Sequence, residues 1–513
     1  MINLTSAPTH GASNSPGLPA HTAATRTNGS IYDAPSLYSP GENGIRTKSE
    51  PLYRDGYTTI NRQATWDVYE EPPYLKRVSL LVQTGNAADT VHVSKSADER
   101  LILQINGRSH SFEARDKYER PVDLHIKTQG GNDDVRISPD VNNKVTIEGG
   151  EGNDTLRAGS GRTRLLGGAG NDTLTLGSNS GYAEGNDGDD TIMGGTGNAV
   201  MYGNNGNDRL YAAAGPAGKQ SYLDGGSGSD LLHAGNGHTI LHGGKGDDHL
   251  VGHDRTTFYS GRGQDQISNN QRGDLIYAKD NDTYDRSQNS VFRRVEPTED
   301  GDAGFKVSTL SSPEFKQRVE DDFEFLRSSP NGRKILADMD KQASLAGGKI
   351  AIREETQKGS SYLFGSTELD KARQDGIRNI ERDDPRRGRI TDNKPGSLAD
   401  KGVVAYNRTD IEDPSGRTFD PPIVGLTHET GHAYNGATGT NLPGTTREQS
   451  PSDPNYSSAI NNTEFQVVGL PSSAPPFHFN GPSNPATNVN PEHFTENGMR
   501  RELGLPERTS YLT

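Results

Sequence analysis

Apolar positions along this chain follow more than one period. From Tyr74 they cluster in short β-branched and aliphatic runs, Val78-Ser79-Leu80-Leu81-Val82 and Leu101-Ile102-Leu103-Gln104-Ile105, which predict strands. Between them a Gly/Asn/Asp turn from Gly85 leads into the short strand Thr90-Val91-His92-Val93. From Ser312 the period becomes helical. Phe315, Val319, Phe323 and Leu326 recur on one face between the start signal Ser312-Pro313-Glu314 and the stop Ser329-Pro330. A second helix is predicted from Asn331 to about Asp340, and strands at Ile350-Ala351-Ile352 and Val403-Val404-Ala405-Tyr406. The charged, Gly-rich stretch 357–397 predicts loops around a cleft. Residues 1–73 show neither period. Ser, Thr, Pro, Gly and Asn dominate there, with breakers at Ser15-Pro16-Gly17 and Ser39-Pro40-Gly41, which predicts disorder.

Between these regions lies a repeat. Gly149-Gly150-Glu151-Gly152-Asn153-Asp154-Thr155-Leu156 returns at Gly167, Gly185, Gly203, Gly225 and Gly243. A frayed copy ends at Asp265-Gln266-Ile267, and Gly130-Gly131-Asn132-Asp133 is an entry copy. This resembles the calcium-binding nonapeptide repeat of secreted toxins and proteases. The resemblance implies a parallel β-roll, two nonapeptides per coil, with Ca²⁺ held at the turns. Asp154, Asp172, Asp190, Asp208, Asp230 and Asp248 fill the aspartate position of one half-repeat. The other half carries Thr163, Gly181, Ala199, Thr239 or Thr257 there. Calcium is therefore expected along one edge, with a double row as the alternative. Clustered carboxylates repel without the ion, so calcium would supply much of the folding free energy.

Composition narrows the class. Only 29% of the 513 residues are hydrophobic, and 62 are Gly. The net charge of −15 argues against nucleic acid and anionic membranes as partners. No apolar run reaches the ~18 residues of a membrane span. No signal peptide is recognisable at the N-terminus. With no Cys, thiol catalysis and Cys-bound zinc are excluded, leaving His and carboxylates as ligands.

One stretch carries chemistry. Thr427-His428-Glu429-Thr430-Gly431-His432 has the form H-E-x-x-H. Asp420 as N-cap, Pro421-Pro422 and the stop Asn435-Gly436 predict a helix around it. Residues four apart share a helix face, so His428 and His432 can hold one zinc, with Glu429 placed to take a proton from a water. A third ligand is needed. The candidates are Asp453, Glu464, His478, Glu492, His493, Glu496, Glu502 and Glu507. Glu464 leads because it opens the apolar segment Thr463 to Leu470, a short helix ended by Gly469 and Pro471. His493 is the runner-up.

The C-terminal 200 residues also resemble the bacterial effector zinc peptidases, proteins injected into host cells. The resemblance rests on H-E-x-x-H-A-Y, on Glu464 followed by Val468-Gly469-Leu470-Pro471, on Thr495-Glu496-Asn497 and on Arg508-Thr509-Ser510-Tyr511. Thr430-Gly431 departs from the larger apolar pair usual there. The resemblance implies Tyr511 and Arg508 at the developing oxyanion and Glu496 holding a ligand His or Arg508. It gives the N-terminal composition the sense of an uncleaved export signal. The expected architecture is a disordered 1–73, a β-roll over 74–290, a linker over 291–305 and an α+β zincin-like domain over 306–513. The expected protein is a secreted monomeric Zn²⁺ endopeptidase with Ca²⁺ repeats, reaching the host cytoplasm and cutting a host protein. A catalytically dead calcium-binding adhesive protein and an antibacterial toxin with the same chemistry are the alternatives.

Overall fold

The computed structural model describes residues 30–35, 44–69, 71–377, 379–411, 419–479, 481 and 483–512. They form two compact units, up to Val82 and from Gln83 onward. In the first, strands Ile45–Arg54 and Thr59–Asp67 pair antiparallel, and Tyr74–Gln83 follows. The Trp66 indole donates to the Ile31 carbonyl. This corrects the expectation of disorder over 1–73, because Ile60, Ala64 and Trp66 are buried. Residues 1–29, 36–43 and 70 of that stretch lie outside the described residues.

The second unit opens with the antiparallel strands Thr90–Lys95, Arg100–Ile105 and Arg108–Glu113 and continues as a β-solenoid of about ten turns over residues 124–294. From Val145 to Ser268 each coil sends one longer strand to one sheet and a three-residue strand to the other, all parallel. Val145–Glu151, Thr163–Ala169, Gly181–Asp187 and Ala199–Asn205 are successive members of the first; Thr155–Arg157 and Thr173–Thr175 belong to the second. Inside, aliphatic residues stack in two files. Ile147, Leu165, Ala183, Met201, Leu223 and Leu241 form one, and Leu156, Leu174, Ile192, Leu210, Leu232 and Leu250 the other, all buried. One coil cannot bury both its faces alone, so stability comes from stacking. Thr239 pairs with Thr256, not Thr257, because that coil is one residue shorter. The expected linker opens with strand Val291–Arg294, hydrogen-bonded to Leu275–Ala278.

Beyond it lies a region of helices and a small sheet. Helix α1 (Pro313–Ser328) is capped by the Ser312 hydroxyl, and α2 (Pro330–Ala346) by Ser329. α2 runs past the expected Asp340 to Gly347, whose φ of 75° only glycine adopts readily. The sheet order is Phe305–Val307, Ile350–Glu354, Val403–Tyr406 and Ser361–Leu363. The first three are parallel and the last is an antiparallel edge. That edge and α3 (Thr367–Gln374) lie in the stretch expected to be loops. Ser366 caps α3, and Leu369 and Ala372 give it a buried side. Then come α4 (Pro422–Thr438), α5 (Asn462–Val468) and α6 (Glu496–Leu503).

The solenoid is not a separate body beside this region. On the outer face of its longer-strand sheet, Tyr182, Tyr202, Tyr222, Ile240, Tyr259 and Tyr277 are buried. They share one hydrophobic core with Phe315, Val319, Phe325, Leu336, Ile423 and Leu503. Arg318 of α1 is wholly buried there, its guanidinium 3.2 Å from the Tyr202 ring centroid and 2.6 Å from Asp322. Tyr259 donates to Glu502 at 3.2 Å. Aromatic area of this size is a large hydrophobic contribution.

Candidate metal centres

α4 carries His428 and His432 on one face, with ring centroids 5.0 Å apart. Its first residue is Pro422 and its N-cap Pro421, one residue later than expected. The Asp420 carboxylate is not capping; it pairs with Arg500. The helix also passes Asn435-Gly436 and ends at Gly439, whose φ is 68°. Gly436 lies within the helix, where the Tyr362 hydroxyl occupies the space a Cβ would need. Gly431 has a similar reason. A Cβ there would lie 2.8 Å from both the Phe494 carbonyl and Val467, so α5 could not pack as closely on α4.

That packing delivers Glu464 from the first turn of α5. Its Oε2 lies 3.3 Å from His432 Nε2 and 3.5 Å from His428 Nε2. The three ligand atoms lie within 4.8 Å of one another, and no other such group occurs among the described residues. A tetrahedral zinc with bonds of about 2.0–2.1 Å holds its ligand atoms about 3.3–3.4 Å apart. The donor set and the carboxylate spacing to both rings fit that ion. Burial opposes charge on the His428 ring, yet the Glu464 and Glu496 carboxylates on either side raise it well above the usual imidazole range. Burial likewise opposes ionisation of Glu464, and the two histidines reverse this, holding it well below the carboxylate range. The pocket thus favours positive charge at its centre.

Glu429 is buried next to this triad. Burial pushes its carboxyl up, while His428, His432 and the Tyr362 backbone N–H favour the ionised form. Glu496 stands behind His428, accepting from Nδ1 at 3.0 Å, from Arg500 Nε at 2.8 Å and from Arg508 at 3.3 Å. Burial disfavours its charge, but these donors hold it at about 2. Thr495-Glu496-Asn497 becomes legible here. Thr495 caps α6, Glu496 accepts from His428, and Asn497 clamps Arg508 through its N–H (2.7 Å) and carbonyl (2.9 Å). The Arg508 guanidinium lies 5.2 Å from the Tyr511 ring. Burial and the hydrogen-bonded Glu464 carboxylate raise the Tyr511 hydroxyl, so its proton is firmly held.

Other candidates lie elsewhere. His493 donates toward Asp338 at 2.9 Å, Glu492 and Glu507 pair with Arg501, and Glu502 accepts from Ser329 and Asn331. Sequence reasoning missed Glu448, which accepts the backbone N–H groups of Tyr511 and Leu512 at 3.0 and 2.6 Å and seats the C-terminal tail. Nothing local marks it. It missed also the edge strand Ser361–Leu363. A cleft of about 760 Å³ runs between that edge and α4, lined by Tyr362, His428, Glu429, Glu464, Arg508 and Tyr511.

The repeat aspartates form a second candidate site. One oxygen of each accepts the backbone N–H of the aspartate one coil earlier. Asp154 N–H reaches Asp172 at 2.7 Å, Asp172 reaches Asp190 at 2.6 Å, and the ladder continues through Asp208 and Asp230 to Asp248. Upstream it includes Asp133 and Asp89. The second oxygen of Asp154, Asp172, Asp190, Asp208, Asp230 and Asp248 is buried with no hydrogen-bond partner. Each lies over the first Gly of its motif, 2.1 Å from where a Cβ of Gly149 would be. Burial raises these carboxyls, Asp172 to about 7 and Asp190 to about 8. A file of buried, half-satisfied carboxylates suits a hard cation with oxygen ligands.

Residues 304–511 match the model of the family Peptidase_M91, described as effector protein. Residues 146–180, 184–216 and 222–254 match the model of the RTX calcium-binding nonapeptide repeat. The chain joins an effector peptidase to RTX repeats. No curated protein and no solved structure matches it. The effector-peptidase region contains both imidazoles, Glu464 and the C-terminal tail, and the RTX repeats support calcium binding. No helix among the described residues is long and apolar enough to cross a membrane.

Proposed function

We propose that the protein is a secreted zinc endopeptidase effector that cuts a protein of a target host cell after entering its cytoplasm. The observation carrying this is the approach of Glu464 Oε2 to both ring nitrogens at 3.3 and 3.5 Å, with Glu429 beside them. His428, His432 and Glu464 would hold the ion, and Glu496 fixes the His428 tautomer by accepting from Nδ1. Bound zinc would supply Lewis acidity toward a peptide carbonyl and lower the pKa of water. The substrate backbone adds to the free edge of Ser361–Leu363, as an extended peptide does on any open sheet edge. Glu429 takes the proton of the attacking water and passes it to the leaving amine. Tyr511, its proton held, donates to the oxygen that gains charge, and Arg508 supports it. Glu429→Gln keeps the fold and the ligands. Equal cleavage of a target-cell proteome by parent and variant would sink the mechanism.

Along the solenoid, calcium would form a single row on the Asp154–Asp248 edge. The opposite edge supports this reading, since Thr163, Gly181, Ala199, Thr239 and Thr256 bring no carboxylate. There the Lys219 ammonium already takes the Gly195 and Ala213 carbonyls at 2.7 and 3.2 Å, and that of Ala212. Anomalous scattering from ions on both edges would reject the single row.

A further inference from the structure

The aspartate row has an end, and the end is built differently. The rungs continue, Asp248 N–H to Asp265 at 3.0 Å and Asp265 N–H to Asp282 at 3.1 Å. The second oxygens are no longer free. Lys279 Nζ lies 2.8 Å from Asp265 Oδ2 and 3.1 Å from Asp282 Oδ2, and donates to the Gly261 carbonyl at 2.6 Å. The Ser260 hydroxyl is 3.4 Å away. Both aspartates and the lysine are buried. Two residues beyond the paired Tyr259 and Tyr277, Lys279 stands where Gly261 and Gly244 stand in the preceding coils. A glycine position of the repeat has become a lysine, and its side chain turns back among the carboxylates.

We propose that Lys279 is a tethered cation that fills the last position of the calcium row. The inference rests on the calcium reading above. Its donor set, two carboxylates and a backbone carbonyl, is the set a calcium ion takes from such turns. An ammonium on the same chain is present at every calcium concentration, so the coil from Asp265 to Thr283 closes without metal. That coil supports the peptidase seat, because Tyr277 stacks on Tyr259 at 4.7 Å and donates to the Glu502 carbonyl at 3.4 Å. This end of the seat is thereby uncoupled from calcium, while the upstream coils that carry Tyr182, Tyr202 and Tyr222 depend on it.

Two measurements on the full chain test this. In hydrogen exchange with EDTA against saturating Ca²⁺, the amides of Gln266, Ile267 and Thr283 keep their protection, whereas those of Thr173, Thr191 and Arg209 exchange at least about tenfold faster once calcium is removed. In equilibrium dialysis against ⁴⁵Ca²⁺, Lys279→Met takes up one more ion than the parent, and adding Asp282→Asn returns the count to the parental value. Loss of protection at Gln266 and Thr283 together with the upstream amides overturns the proposal. So does a folded Lys279→Met that binds the parental number. If Lys279→Met does not fold, the exchange pattern of the parent decides. A parent that binds no calcium refutes the row itself, an outcome distinct from a parent that binds calcium while the lysine variant gains none.

Discussion

Replacing Glu496 by Gln tests the support behind the proposed zinc ligands with least disturbance of shape. In the parent, one buried carboxylate accepts from His428 Nδ1, Arg500 and Arg508 at 3.0, 2.8 and 3.3 Å. The amide keeps the volume but not the charge, and one of its ends is a donor. Arg500 retains Asp420, and Arg508 retains the Tyr511 carbonyl, so neither guanidinium is stranded. The loss therefore falls on His428, whose ring is no longer pinned by a charge-assisted bond. Outer partners of this kind are worth about 10–100-fold in metal affinity, roughly 1.4–2.7 kcal/mol. The upper end is expected here, because the bond is shielded from water. Zinc affinity is read by competition with a chromophoric chelator at fixed pH and saturating calcium, with circular dichroism to confirm folding. A folded Glu496→Gln whose zinc Kd stays within about threefold of the parent would refute the orienting role.

Other perturbations have equally definite outcomes. Gly431→Leu meets Val467 and the Phe494 carbonyl, so α5 is pushed off α4. Zinc affinity should fall by at least about tenfold as Glu464 recedes, seen in the same competition assay. Tyr511→Phe removes the proposed oxyanion donor and should lower kcat by about 10²-fold with KM little changed, whereas a purely structural tail would alter neither. Asp321 is held at about 7 by burial and the nearby Asp224 charge. A raised carboxyl gives stability that is full below the unfolded value near 4 and is lost as pH rises through 7, at most about 4 kcal/mol in all. Asp321→Asn should therefore flatten the fall in Tm between pH 5 and 8; an unchanged slope would refute the assignment.

Much of this was legible because it is local or periodic. The spacing of His428 and His432 needs only helix geometry, and the 18-residue recurrence of aspartate needs only a ladder. The short helix that carries Glu464 was legible because Gly469 and Pro471 delimit it. What escaped depends on distant partners. Asp420 looks like a cap until Arg500, 80 residues on, takes its carboxylate. Asn435-Gly436 looks like a stop until Tyr362, packed where a Cβ would be, shows why a glycine is needed there. The three-residue edge Ser361–Leu363 has no period of its own, and Val403–Tyr406 alone defines it. The aromatic face had a signal in Tyr182, Tyr202 and Tyr222, each an outward position of successive coils. It is visible only once the coils are in register.

That face restricts how this array can change. Repeat proteins ordinarily gain and lose units with little penalty, since each touches only its neighbours. Here the peptidase rests on fixed rungs from Tyr182 to Tyr277. Adding or deleting one coil within that span would slide every later rung by about 4.8 Å, the strand spacing, and carry Arg318 away from the ring it covers. Among the described residues, none upstream of Leu166 belongs to that shared core. Length variation in this array should be tolerated at its beginning and forbidden beneath the enzyme.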